Sequence, residues 1–79
     1  MSKIEHYYEA INPDTKKTKY YKIVEDNKRF EVFSYKQGMF SSYVSIKANL
    51  ESKQSAIQIM RNDAKNELGQ KTLVNLIIK

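Results

Sequence analysis

Several residue types that carry chemistry are missing or rare in this 79-residue chain: there is no cysteine, no tryptophan and only one histidine. Without cysteine the chain forms no disulfide, no cysteine-ligated zinc site and no thiolate nucleophile. The sequence also contains no glycine-rich phosphate loop and neither a G-x-S-x-G nor an H-E-x-x-H motif. We therefore expect a protein that is not an enzyme and that holds no cofactor and no metal, with His6 as a half-buried residue of a strand.

Long hydrophobic runs are missing as well. No apolar segment approaches the roughly 18 residues that are needed to cross a bilayer. The first ten residues, MSKIEHYYEA, lack the apolar region of a secretory signal. We therefore expect a cytoplasmic protein that has no membrane partner.

The residues that are present are typical of a soluble globular domain, with 41% apolar and 29% charged residues. The length predicts one small α+β domain over residues 1–79. The core of so short a domain contributes only about 3 to 5 kcal/mol, and neither a disulfide nor a metal can add to it. Association of two copies is the remaining source of stability, and we expect a homodimer.

The hydrophobic pattern predicts a four-stranded antiparallel meander, then one amphipathic helix packed on one sheet face, then a C-terminal strand. The four meander strands are predicted at residues 3–11, 19–24, 29–35 and 40–48. The helix begins at a serine cap, Ser52 or Ser55, and ends at Gly69. Its apolar face contains Ile57, Met60, Ala64 and Leu68. The last strand, at residues 71–78, is apolar on both faces, which is compatible with a central strand or a dimer contact.

The hairpin turns predict which side chains share a sheet face. A turn at Asp26-Asn27 would pair Ile23 with Phe30, and a three-residue loop containing a left-handed Gly38 would pair Val32 with Val44. The face under the helix would then consist of Tyr21, Ile23, Phe30, Val32, Val44 and Ile46. The opposite, open face would carry Tyr20, Lys22, Arg29, Phe33, Tyr35, Tyr43 and Lys47.

Positive charge is concentrated in one part of the chain. The whole chain carries +5, from 14 basic and nine acidic residues. Residues 15–36 contain seven cations and three carboxylates, which gives a local charge of +4. This concentration indicates an edge that contacts an anionic partner, because a charge that served solubility alone would be spread more evenly.

Aromatic rings among cations are typical of proteins that bind single-stranded nucleic acid, in which bases stack on rings while lysines contact phosphates. The sequence therefore predicts a small basic regulator that binds RNA or single-stranded DNA. Because the chain has only two arginines for bidentate base contacts, binding should be largely independent of sequence. The predicted binding residues are Lys16, Lys17, Lys19, Tyr20, Lys22, Lys28, Arg29, Phe33, Tyr35, Lys36, Tyr43 and Lys47.

A second interpretation remains open, in which the same face docks a protein. Exposed aromatic patches often mark protein interfaces, and a basic surface fits an acidic partner. The protein would then be an interaction module or a compact inhibitor, for example a counter-defence protein of a phage or mobile element.

Overall fold

The structure is a computed structural model that describes residues 3–40 and 42–77, and it confirms the predicted α+β fold. The elements are β1 (Ile4–Ile11), β2 (Thr18–Asp26), β3 (Arg29–Lys36), β4 (Ser42–Leu50), α1 (Lys53–Leu68) and β5 (Leu73–Ile77). They form one antiparallel sheet in the order β4-β3-β2-β1-β5. β5 is therefore an edge strand beside β1. Predicted strand residues 41 and 78 lie outside the described residues.

The helix is held at both ends by the residues that the sequence indicates. Ser52 is the N-cap, and its hydroxyl accepts a hydrogen bond of 3.1 Å from the Ser55 backbone N–H. At the other end Gly69 has a φ of 118°, and its N–H donates to the Lys65 carbonyl at 2.8 Å. No helix among the described residues is both long and apolar enough to cross a membrane.

The core lies between α1 and the middle of the sheet. Ala56, Met60 and Ala64 form the buried face of the helix, and the two alanines allow the helix axis to approach the strands closely. The buried sheet residues are Tyr8, Ala10, Tyr21, Ile23 and Val32. Burial of Tyr21, Ile23 and Val32 confirms most of the predicted face under the helix, and the partly buried Phe30 packs against the same cluster.

The predicted turn between β2 and β3 is wrong by one residue. The strands meet at Asn27 and Lys28, whose φ angles of 54° and 64° are the positive values that a two-residue type I′ turn requires. Ile23 consequently pairs with Val32 instead of Phe30. The shift amounts to two residues along β3, and side chains alternate with a period of two, so every side chain keeps its predicted face.

The predicted register of β4 is also wrong. β3 ends at Lys36 and β4 begins at Ser42, so the connection is longer than three residues, and Gly38 has no positive φ. Val44 pairs with Ser34, a register shift follows, and Lys47 pairs with Val32. Val44 and Ile46, which the sequence assigned to the face under the helix, are 45% and 36% exposed.

Leu50 takes the core position that the sequence assigned to Ile46. It pairs with Phe30 and packs against the buried cluster. The same register shift aligns Lys47 with Val32, a residue of the helix-side face. The prediction that Lys47 lies opposite the open-face residues of β3 is therefore wrong.

Replacement of Lys28 by glycine should stabilise the protein. A left-handed conformation costs a residue with a Cβ about 1 to 2 kcal/mol, and Asn-Gly is the preferred pair in this turn. We expect Lys28→Gly to raise the free energy of unfolding by about 1 kcal/mol in a denaturant titration. Lys28→Ala removes the same charge but keeps the Cβ, and it should give no such gain. Equal effects of the two substitutions would contradict this account of the turn.

Candidate functional site

The predicted binding residues are spread over the two ends of the sheet, the centre of its open face and its helix side. One end, which we call the loop end, consists of residues 12–17, 37–40 and 69–72 and receives Lys16, Lys17 and Lys36. The far end, at residues 27–28, carries Lys28 and Arg29. Because the nine residues of β2 rise about 3.3 Å each, these ends lie about 26 Å apart. The basic hairpin that looks continuous in the sequence is thus two separate surfaces.

Lys22 lies at the centre of the open face, enclosed by aromatic rings. Its Nζ lies 4.9 Å from the ring centroid of Tyr43 and 5.2 Å from that of Phe33. The same Nζ is 3.5 Å from Glu5 Oε2, and the side chain is only 18% exposed. Lys22 therefore stabilises this cluster through cation–π contacts and an ion pair, which leaves little of its charge to an external phosphate.

The open-face tyrosines pack against one another. The Tyr43 ring is 5.9 Å from Tyr7 and 5.1 Å from Tyr35, with interplanar angles of 66° and 63°. These are the edge-to-face arrangements that aromatic quadrupoles favour. The Tyr7 hydroxyl donates a 2.7 Å hydrogen bond to Glu5 Oε1, and burial raises the pKa of Tyr43. A base that stacked on Tyr43 would have to displace some of these contacts.

Sequence reasoning missed Glu5 and Tyr7 as members of this cluster. β1 was not placed in register with β2, although Tyr7 lies directly opposite Lys22 in the sheet. The alternation of polar and apolar residues along β1 was the available signal, since it puts Glu5, Tyr7 and Glu9 on one face.

The centre of the open face carries no excess of positive charge. The Tyr20 hydroxyl donates to Glu9 Oε2 at 3.3 Å, and Glu31 lies opposite Val24 on the same face. Arg29, at the margin of this face, forms an ion pair of 3.2 Å with Glu51. Among the predicted binding residues, the cations that make no such ion pair in the described part of the chain therefore lie at the ends of the sheet or, for Lys47, on its β4 edge.

Lys19 faces the helix instead of solvent. Its Nζ lies 3.3 Å from Asp63 Oδ2 and 3.4 Å from Glu67 Oε1, and its side chain is only 15% exposed. The sequence placed Lys19 among the ligand-binding cations. The structure places it in an ion-pair network that ties β2 to α1.

A groove at the loop end brings together the predicted residues Tyr20, Tyr35 and Lys36. Tyr20 and Tyr35 line it from the open-face side of neighbouring strands. The full lining is Thr18, Lys19, Tyr20, Tyr35, Lys36, Gln37 and Glu67. Lys16 and Lys17 precede β2 directly and are exposed. Among the described residues, no carboxylate lies within ion-pair distance of Lys16, Lys17 or Lys36.

The loop that carries Lys16 and Lys17 is fixed by the buried side chain of Asn12. Its Oδ1 accepts hydrogen bonds from the backbone N–H groups of Asp14 at 2.9 Å and Thr15 at 3.3 Å. Its Nδ2 donates to the Leu68 carbonyl at 2.7 Å, which joins the loop to the end of α1. The two lysines are therefore presented from an anchored loop.

The loop between β3 and β4 adds an exposed apolar pair to this end. Met39 is 92% exposed and Phe40 is 86% exposed. The sequence predicts that Phe40 starts the fourth strand, whereas in the structure that strand begins two residues later, at Ser42. Phe40 therefore lies in the loop and was missed as a candidate binding residue.

Comparisons with protein-family models, curated proteins and solved structures give no match to this chain. Within residues 3–40 and 42–77, no cluster of histidine and carboxylate side chains could hold a metal ion. His6 lies opposite Ile23 on the helix side of the sheet and is half-buried.

A short hydrogen bond between β2 and α1 lies next to Lys19, one of the residues that line the groove. The Tyr21 hydroxyl donates to Asp63 Oδ2 at 2.6 Å, beside the Lys19 ion pairs. Burial is the largest cause that raises the pKa of Tyr21 far above its usual value of 10, and this hydrogen bond is the second. The folded state favours the neutral phenol of Tyr21. The stability that this preference contributes is complete below pH 10 and is lost as the pH rises above that value, because the unfolded chain can then ionise the phenol.

Tyr21→Phe should lower the free energy of unfolding by about 1 to 2 kcal/mol at pH 7, since it removes a hydrogen bond to a half-buried carboxylate. The difference between the wild type and this variant should narrow above pH 10, where the unfolded wild type gains stability by ionising. Denaturant titrations across the alkaline range measure both effects. Tyr20→Phe is the control, because it removes a longer hydrogen bond, 3.3 Å to Glu9 Oε2, at an exposed position and should cost less stability. A difference that stayed constant up to pH 11 would contradict the assignment.

Proposed function

We propose that the protein binds single-stranded nucleic acid, RNA or DNA, at the loop end of its sheet. Lys16, Lys17 and Lys36 would contact phosphates, and Tyr20 and Tyr35 would provide rings for bases. The observation that carries this proposal is the position of three lysines without carboxylate partners beside a groove lined by two tyrosines.

This arrangement supplies the two interactions that general single-strand binding needs. Cations follow the backbone, and stacking on a ring contributes about 1 to 3 kcal/mol per base whatever its identity. Lysine is a point charge without the fork of donors that arginine uses to read guanine. The composition of the loop end therefore supports affinity without sequence preference.

In this proposal the centre of the open face is a support for the loop end. Tyr35 packs against Tyr43, which in turn contacts Lys22 and Tyr7. The cluster fixes the Tyr35 ring before any ligand arrives, which reduces the entropy lost on binding. Lys28 and Arg29, about 26 Å away, would be reached only by a strand several nucleotides long.

A second candidate function is a protein-binding module, favoured by the charge balance of the open face. Glu5, Glu9 and Glu31 offset Lys22 and Arg29 around the tyrosine cluster. Tyrosine-rich surfaces without excess charge are typical of the centre of protein interfaces. A compact inhibitor, such as a counter-defence protein, would use this face, and an acidic partner could also reach the lysines of the loop end.

Fluorescence anisotropy with labelled single-stranded RNA, single-stranded DNA and duplex DNA tests the leading proposal. Single strands lose affinity with a slope of about 0.7 per neutralised phosphate in a double logarithmic plot against salt. Three lysines therefore predict that binding weakens about 10- to 20-fold between roughly 50 and 200 mM salt. Tyr20→Ala should weaken binding by about 5- to 150-fold, as expected for the loss of one stacked base.

The controls are substitutions that remove lysine charges elsewhere in the sheet, two charges against the three of the loop end. Lys16→Ala, Lys17→Ala and Lys36→Ala combined should abolish most of the salt dependence, while Lys28→Ala and Lys47→Ala combined should leave it nearly unchanged. Circular dichroism checks that each variant keeps the fold. The absence of binding to all three probes at low salt, or an equal loss in both sets of variants, would reject the loop end as the site.

A further inference from the structure

The two edges of the sheet differ in how far they are protected against pairing with another strand. β4, at one edge, carries the charge of Lys47, a register shift against β3 and a left-handed Asn49 with a φ of 60°. Charge, irregularity and bends are the features that stop an edge from accepting a further strand. The β4 edge is therefore a poor site for association.

The β5 edge has none of these protections among its described residues. Its sequence, LVNLI, contains no charge, no proline and no glycine, and its pairing with β1 is regular over the whole strand. Leu73 and Leu76 are 56% and 55% exposed. An uncharged, regular and apolar edge strand is a template for β-sheet extension.

We propose that β5 pairs with β5 of a second copy of this chain, antiparallel about a two-fold axis through Asn75. This register places Leu73 opposite Ile77 of the second copy, and Val74 opposite Leu76. Each chain thus contributes apolar residues to four apolar cross-strand pairs, and the two Asn75 side chains meet at the axis, where their amides can form hydrogen bonds with each other. The strand is complementary to itself in this register, which is the requirement of a two-fold interface.

The lack of charge on β5 favours pairing with another uncharged strand, such as β5 of a second copy, over pairing with a strongly charged strand. The chain carries +5, so two copies repel over most of their surfaces. β5 itself is uncharged, and at its loop-end side Lys71 is paired with Asp14 at 3.3 Å. This edge is therefore a place where two copies can meet with little local repulsion.

The dimer would have a defined shape and a moderate affinity. A two-fold axis perpendicular to the sheet produces a continuous ten-stranded sheet, with both helices on one face and both open faces on the other. The two loop ends would point in opposite directions. Pairing of a five-residue strand buries less than the standard interface of about 800 Å² per partner, which predicts dissociation in the micromolar range.

Sedimentation velocity of the full chain from micromolar to millimolar concentration tests this proposal. The expected result is a reversible change from 9.3 kDa to twice that mass. Asn75→Lys places two positive charges face to face at the axis and should weaken dimerisation by up to about fivefold. Because Asn75 is exposed, the fold of the monomer should be unaffected, which circular dichroism checks.

Two controls make the result specific to β5. Asn75→Thr adds no charge and keeps a strand-forming residue, so the dimer should persist. Ser45→Lys adds the same charge to the exposed β4 edge and should leave the mass distribution unchanged. A monomer at every concentration would overturn the proposal. A dimer that is insensitive to Asn75→Lys would also overturn it. So would circular dichroism data showing that Asn75→Lys loses the dimer because the monomer unfolds.

Discussion

The structure depends on the coverage that one helix can give to a five-stranded sheet. α1 has 16 residues, so it is about 24 Å long and, with its side chains, about 10 Å wide. The outer strands of the sheet lie about 19 Å apart, at about 4.8 Å per neighbouring pair. The helix is long enough for the strands but only half as wide as the sheet. Its buried residues, Ala56, Met60 and Ala64, pack over the middle of the sheet, and the outer strands remain partly uncovered.

The uncovered surfaces are stabilised in different ways. On the open face, Lys22 makes cation–π contacts with the rings around it, and the rings pack edge to face. The aromatic side chains are thus packed against one another without a second layer of structure. On the helix side, Lys19 reaches the acidic residues of α1. Both lysines are neutralised within the domain. The charge of the sheet that remains available to a ligand is therefore carried by residues of its loops and of the exposed edge strand, and α1 adds the exposed Lys53, Arg61 and Lys65.

The sequence predicts the element order and the faces of β2 and β3 correctly because period-two alternation is unaffected by an even shift in register. The turn was misplaced because Asn27-Lys28 lacks the glycine that usually identifies a type I′ turn. β4 was misread because Val44 and Ile46 continue an apolar alternation in an edge strand that the helix does not bury.

The errors in the candidate site have equally specific causes. Lys19 lies two residues before Tyr21, so alternation places it on the helix side. The concentration of lysines in this part of the sequence nevertheless predicts it as a phosphate contact, because charge counting ignores the face of the strand. The position of Lys47 depends on a register shift that no local sequence signal marks. The separation of Lys16 from Lys28 follows from strand length, which turns a cluster in sequence into opposite ends of a sheet.

Binding of single-stranded nucleic acid at the loop end can be tested most directly by titrating the ¹⁵N-labelled protein with a short single-stranded oligonucleotide and following the amide chemical shifts. We expect the largest changes at residues 15–20 and 35–40, which contain the lysines and tyrosines proposed to bind at the loop end. Changes centred on residues 27–29, on the exposed face of α1 or on the centre of the open face would contradict this expectation, as would a spectrum that the oligonucleotide does not alter.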